Sequence, residues 1–210
     1  MRVVALIPAR CGSKGFVNKN IAKINNKTLI EYAVDTALNC KIISDVYIST
    51  DCKQYEDIAL RSGAKSLGLR RGDLSSDAAK SVDVAIDFLE TLDREYDYIV
   101  LLQPTSPCRV AKDIARMFDL IKLKKITSNG FVESFIDGAS SEIPRQKLPQ
   151  VYALNGAIYI TKVNTLFNEK TFLPIATIPY MMSININIDS EDDYLRLIYL
   201  IDNNKINLNE

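Results

Sequence analysis

Histidine is absent from all 210 residues. This removes the side chain most often used as a general base near neutral pH. Any base must therefore be a carboxylate, a lysine, or a water or substrate oxygen activated by a metal. Net charge is absent as well, because 26 basic and 26 acidic residues cancel. Without a global positive field, nucleic acid is disfavoured as a partner class. Apolar runs are short, and none reaches the roughly 18 residues that a membrane helix needs. Cysteine is scarce: Cys11, Cys40, Cys52 and Cys108 are scattered, with no C-x-x-C pair for zinc or redox work. Reduced thiols in a cytoplasm are the simplest account of them. The chain enters an apolar run at once, so no signal peptide is expected. The sequon Asn26-Lys27-Thr28 carries no meaning without secretion. Internal repeats and low-complexity tracts are also missing.

What is present alternates apolar runs with helical patterns. Val3 to Ile7 reads as a buried strand, Asp45 to Ser49 as a short strand and Tyr96 to Leu102 as a strand stopped by Pro104. Tyr152 to Ile160 and Ser183 to Ile188 are expected to be strands too. Ile30, Val34, Ala37 and Leu38 share one helix face. Residues 53–62 form a helix ended by Gly63. Ser76 or Asp77 is expected to cap a helix carrying Val82, Ala85, Ile86 and Leu89. Asp113 to Leu123 is helical, and Ser190 caps a last helix from Glu191 to Ile201. Strand–helix alternation at this length predicts one α/β domain with a mostly parallel sheet flanked by helices. Ligands of such sheets bind beyond the carboxyl ends of the strands. That rule gathers the loops 8–20, 49–53, 70–77, 103–109 and 187–191.

The first of these loops is the most informative. Ile7-Pro8-Ala9-Arg10-Cys11-Gly12-Ser13-Lys14-Gly15 ends the first strand, and Lys19-Asn20 follows shortly. Glycines allow a tight turn close to a ligand, and Arg10, Lys14 and Lys19 bring three cations. A loop of this kind holds phosphate through backbone N–H groups and basic side chains. Its spacing fits neither the P-loop nor the dinucleotide fingerprint. In the second, Gln103-Pro104-Thr105-Ser106-Pro107 is stiffened by two prolines and offers groups suited to sugar hydroxyls and a carboxylate. Further on, Ile186-Asn187-Ile188-Asp189 alternates, so Asn187 and Asp189 point the same way, a geometry suited to a hard cation.

Together these segments resemble the acylneuraminate cytidylyltransferases (CMP-sialic acid synthetases, legionaminic acid types included). The resemblance runs over about residues 3 to 200. It is carried by P-A-R-x-G-S-K-G…K-N, by L-L-Q-P-T-S-P-C-R with Cys108 where leucine is usual, and by Arg70 to Asp77 with Ser81 beyond, where Arg71 replaces a proline. It is also carried by R-Q-K-L-P-Q-V-Y-A-L-N-G-A-I-Y-I and by I-N-I-D-S-E. The family has I-D-I-D-[ST]-E in the last motif, with both aspartates serving Mg²⁺; Asn187 stands in the first place and brings no charge. The segment around 126–150, which in the family carries dimer contacts and part of the sugar pocket, is shortened here.

The resemblance implies a Rossmann-like nucleotidyltransferase fold over 1–210 and transfer of CMP from CTP to the anomeric hydroxyl of a nine-carbon 2-keto acid sugar. Pyrophosphate leaves. Catalysis falls to Arg10, Lys14 and Asp189. Nucleotide binding falls to Ala9, Arg10, Gly12, Lys14, Lys19, Asn20, Arg70 and Ser81, with Lys19 and Asn20 either bracing the loop or reaching the nucleotide. Sugar binding falls to Gln103, Thr105, Ser106, Arg145, Asn155, Tyr159 and Phe172. Asp189, with Asn187, would hold Mg²⁺ or Mn²⁺, as one ion or two. A homodimer is implied, with neither nucleic acid nor membrane as partner. Two other readings remain open: a cytidylyltransferase for an eight-carbon keto acid, and a catalytically weakened nucleotide-binding protein.

Overall fold

A computed structural model describes residues 1–12, 16–76, 78–122, 154–182 and 186–208. Its centre is a five-stranded sheet of β1 (Val3–Pro8), β4 (Asp45–Ser49), β5 (Lys65–Ser66), β6 (Tyr98–Leu102) and β7 (Ile158–Lys162). The order across the sheet is β5-β4-β1-β6-β7. The first four pair in parallel, and β7 joins β6 antiparallel. The sheet is thus mostly parallel, as the alternation of elements predicts.

Helices cover both faces, which explains the uninterrupted apolar run in β1. Val3, Ala5 and Ile7 point to one face. There they meet Ile30 and Val34 of α1 (Leu29–Leu38), Tyr55 and Ala59 of α2 (Lys53–Arg61) and Phe118 of α4 (Ala111–Lys122). Val4 and Leu6 point to the other face, against Ala85 and Phe88 of α3 (Ser81–Thr91) and Leu166 of α5 (Val163–Glu169). A third cluster seats α6 (Glu191–Asp202) on the start of α1, through Leu197 against Leu29 and Tyr32. This packing brings residues 187–189 to the loop after β1.

The helix ends follow their sequence signals in two cases. Thr28 and Glu31 form a reciprocal capping box on α1, and Ser190 and Asp193 form another on α6. The third case differs. Helix α3 begins only at Ser81, with Lys80 in the N-cap position and no side-chain cap. Ser76 instead follows a 3₁₀ turn over Gly72–Ser75, and its hydroxyl donates to Asp73 O at 3.4 Å. Asp77 lies outside the described residues.

The two late strands also differ. The described part of the first is confined to 158–162. Of the second, residues 186–188 form no strand. Ile188 N–H instead makes a backbone bond of 2.8 Å to Thr105 O, while Ile186 and Ile188 pack into the third cluster. Alternation there reflects two apolar anchors around a half-buried Asn187 rather than a ladder. A short hairpin of β2 (Lys23–Ile24) and β3 (Lys27–Thr28) precedes α1. Asn25 and Asn26 turn it with φ of 48° and 65°, the left-handed pair that a two-residue hairpin requires.

Candidate active site

The carboxyl ends of β1 and β6 open into a cleft of about 320 Å³. Arg10, Lys19, Asn20, Arg70, Ser81, Gln103, Thr105 and Asp189 line it. Five separate stretches of sequence thus meet in one place, as expected at the carboxyl edge of a parallel sheet.

The loop after β1 is built around its backbone. Ala9 is buried, and its N–H donates to Ser49 O at 2.9 Å. Cys11 N–H donates to Asp51 Oδ1 at 2.7 Å, and Asn20, 5% exposed, donates from Nδ2 to Arg10 O at 3.1 Å. Gly12 has φ of 72° with open space where a side chain would start. The conformation, and not crowding, is what asks for glycine there. Lys14 lies outside the described residues. Asn20 therefore braces the loop from below, while Arg10 and Lys19 face the cleft.

Arg70 approaches from the next loop. Its N–H is fixed to Thr50 O at 2.7 Å, and its Nε donates to Ser75 Oγ at 3.3 Å. Burial pushes the Arg70 guanidinium below its ordinary range; Asp51 opposes this and Arg10 adds to it. Two guanidinium groups near one carboxylate, at the end of a strand, make a positive recess for an oligophosphate. Asp51 was not among the residues singled out in the sequence. The signal for it was its place just after strand Asp45–Ser49.

Across the cleft, Gln103 begins the proline-stiffened loop. Its carbonyl accepts from Arg109 Nη1, which also donates to Ala157 O at 3.1 Å. Arg109 is 1% exposed. Burial pushes its guanidinium down to about 9, which still leaves it charged at neutral pH. It ties the loop after β6 to the entry of β7. Gly156, with φ of 70°, passes so near that an added Cβ would stand 3.2 Å from Gln103 Oε1. Asn155 Oδ1 accepts from Ala157 N–H at 3.0 Å and shapes the same turn. The positioning role of Arg109 was missed, although the residue closes the Q-P-T-S-P-C-R motif.

The remaining sugar-site candidates are spread out. Thr105 and Ser106 are buried, and Ser106 Oγ donates to Asn187 Oδ1 at 3.1 Å. Tyr159 packs with Phe172, ring centroids 5.9 Å apart, on the α3 side of the sheet, and burial pushes the Tyr159 hydroxyl up. Phe172 lines a second hollow with Tyr98, Ile160 and Tyr180, beside β7. Neither ring lines the cleft that holds Arg10 and Asp189. Arg145 lies outside the described residues, as does the whole 126–150 segment.

At the cleft's open side Asp189 is held between two donors. Lys19 Nζ lies 3.1 Å from Oδ1, and Asn187 Nδ2 donates to Oδ2 at 2.6 Å. The Asp189 side chain is 67% exposed. Among the described residues, no three His, Cys, Asp or Glu side chains cluster to hold a metal by themselves.

The fold is a mostly parallel α/β sheet with a basic cleft at its carboxyl edge. A solved CMP:2-keto-3-deoxy-manno-octonic acid synthetase complexed with CTP superposes with a TM-score of 0.73 at 17% identity, over 97% of this chain and 100% of that one. The family model described as cytidylyltransferase matches residues 4–201, and the chain belongs to that family. An N-acylneuraminate cytidylyltransferase of Streptococcus agalactiae is 30% identical over 221 residues, covering 94% of this chain and 53% of that protein. The chain thus spans about half the length of that relative. A CMP-N,N'-diacetyllegionaminic acid synthase of Legionella pneumophila is 32% identical, covering 92% of this chain and 94% of that protein.

Proposed function

We propose that this cytidylyltransferase moves CMP from CTP to the anomeric hydroxyl of a nine-carbon 2-keto acid sugar, of the sialic or legionaminic type, releasing pyrophosphate. The observation that carries the reading is the cleft. Arg10, Lys19 and Arg70 bring positive charge to it, Gln103 and Thr105 bring neutral polar groups, and Asp189 lies beside Lys19.

The anomeric hydroxyl oxygen attacks the α-phosphorus in line, one P–O bond forms as the bond to pyrophosphate breaks, and the hydroxyl proton passes to water or the departing pyrophosphate. Negative charge builds on the phosphates, so positioning and neutralisation supply most of the rate. Arg10, Arg70 and Lys19 place positive charge along the triphosphate, and Ser81 offers a hydroxyl at the start of α3. Gln103, held by Arg109 and packed against Gly156, presents its amide to the acceptor.

The donor set fits a hard divalent cation, Mg²⁺ or Mn²⁺: one exposed carboxylate, Asp189, beside space for phosphate oxygens. When bound, such a cation would neutralise phosphate charge and acidify the attacking hydroxyl, which fits a chain without histidine. A homodimer belongs to the same proposal, and the exposed apolar side chains Leu173, Ile175, Ile178 and Met181 support it. A cytoplasmic setting accords with the four free cysteines. No helix among the described residues is long and apolar enough to cross a membrane.

The test is mass spectrometry of products from CTP, Mg²⁺ and a panel of nine- and eight-carbon keto acids. A CMP conjugate of one nine-carbon acid is expected. Conjugates formed only with eight-carbon acids, or none with CTP bound, would replace this reading with one of the two alternatives.

A further inference from the structure

If the cleft holds a nucleoside triphosphate with a divalent cation, as proposed above, Asn187 has work to do that is not ligation. Its amide is engaged at both ends. Ser106 Oγ donates to Asn187 Oδ1 at 3.1 Å, and Asn187 Nδ2 donates to Asp189 Oδ2 at 2.6 Å. Ser106 is itself anchored: it is 1% exposed, and its N–H meets Gln103 O at 3.3 Å. The two segments are also stitched by Ile188 N–H on Thr105 O at 2.8 Å. A buried hydroxyl thus fixes the amide, and the amide fixes an otherwise exposed carboxylate.

A carboxylate at position 187 could not make the second bond, because an ionised carboxyl only accepts. Two carboxylates at i and i+2 on one side of the chain would repel unless a cation stood between them. With asparagine, Asp189 is oriented before any cation arrives. Its Oδ1 faces the cleft and accepts from Lys19 at 3.1 Å, so a cation there shares that oxygen with Lys19 or displaces it. The Asn187 amide oxygen meanwhile is turned toward Ser106.

We propose that Asn187 is a positioning residue: oriented by Ser106, it aims Asp189 at a single divalent cation shared with the triphosphate, and it does not itself ligate. Groups that orient a metal ligand in this way change metal affinity about 10–100-fold when removed.

The test is Mn²⁺ titration of the full chain followed by electron paramagnetic resonance, first with the metal alone and then with CTP. One bound ion per chain is expected with CTP, and Asp189→Asn abolishes the weaker binding seen with the metal alone. Asn187→Ala and Ser106→Ala keep the stoichiometry but weaken Mn²⁺ about tenfold. Asn187→Asp, which restores a second carboxylate, binds a second ion when CTP is present. Two ions in the wild type, or unchanged Mn²⁺ affinity in both Asn187→Ala and Ser106→Ala, overturns the proposal. CTP binding is read separately by equilibrium dialysis. Its absence alongside the expected metal-alone pattern would refute the cytidylyl-transfer reading and leave the positioning role of Asn187 standing.

Discussion

Gly156→Ala separates the shaping of the acceptor side from the stability of the fold. Gly156 sits at φ of 70° at the entry of β7, and the new Cβ would lie 3.2 Å from Gln103 Oε1 and 3.7 Å from its Cδ. Two costs follow. Left-handed backbone costs an alanine ~1–2 kcal/mol, offset by about 0.4–1 kcal/mol from the stiffer unfolded chain. The steric contact is not relieved by the backbone, because Arg109 holds both Gln103 O and Ala157 O. The Gln103 side chain must then yield by a few tenths of an ångström. The net stability loss is about 1 kcal/mol, which lowers Tm by roughly 2–4 °C in a domain of this size. A displacement of this order at a group that positions substrate should raise the acceptor KM by about three- to tenfold while leaving the CTP KM alone. The assay is differential scanning fluorimetry beside steady-state kinetics varied in each substrate. The Gln103→Ala background supplies a control: there the kinetic effect of Gly156→Ala should vanish, since the group it displaces is gone. A lowered Tm with unchanged acceptor KM would show that Gly156 serves only the turn. An equal rise in both KM values would refute the assignment of Gln103 to the acceptor.

Other outcomes follow from the same contacts. Arg109→Met should leave the Ala157 carbonyl without this donor and Gln103 O with Ser106 N–H alone, costing ~1–3 kcal/mol, seen as a fall in the urea midpoint; an unchanged midpoint would count against the clamp. Ser190→Ala removes the cap of α6 and should cost about 1 kcal/mol, detectable in the same titration. Asp45 is pushed up by burial, but hydrogen bonds from Lys65 and Tyr96 outweigh this and hold its carboxyl below the usual range. Its stabilising effect is therefore present above its unfolded pKa of ~3.9 and lost as pH falls through the lower folded value. Tyr96→Phe should move acid unfolding to higher pH, followed by circular dichroism, and an unmoved acid midpoint would refute that coupling. Lys19→Met should raise the KM for CTP and loosen Asp189, whereas an unaltered CTP KM would place Lys19 outside the phosphate path.

The parts of the fold that were legible in the sequence are those where local pattern and tertiary environment agree. The run Val3–Ile7 is buried on both faces because α1, α2 and α4 cover one side and α3 and α5 the other. Helix α6 starts at the serine whose capping box with Asp193 is visible in S-x-x-D. Where a pattern had two physical sources, the reading went astray. Ser76 looked like a helix cap, yet the chain first makes a 3₁₀ turn, and α3 waits for Ser81. The alternation at 186–188 looked like a strand, yet it comes from two isoleucines anchored in the third cluster. The β2–β3 hairpin escaped because Asn25-Asn26 lacks the glycine that usually marks such turns, although asparagine tolerates the same left-handed backbone.

At the site, chemistry was more legible than geometry. Residue types suggested phosphate beside Arg10 and Lys19, the family resemblance added Arg70, and these three share one cleft. Asp51 was signalled only by its place after strand Asp45–Ser49 and Arg109 only by closing its motif, because their roles depend on partners 40 and 48 residues away, Cys11 and Ala157. No local periodicity reports such contacts. Tyr159 and Phe172 show the converse. The family resemblance assigns both to the sugar pocket, and they do touch, but in a cluster beside the cleft and not within it.

The central claim is tested most directly by pyrophosphate release from CTP and Mg²⁺, measured with and without a nine-carbon 2-keto acid sugar, for the wild type and for Asp189→Asn. The account predicts release that requires the acid, prefers CTP over other nucleoside triphosphates, and falls by at least about tenfold in the variant. Tight CTP binding with no release for any acid in the panel would contradict it.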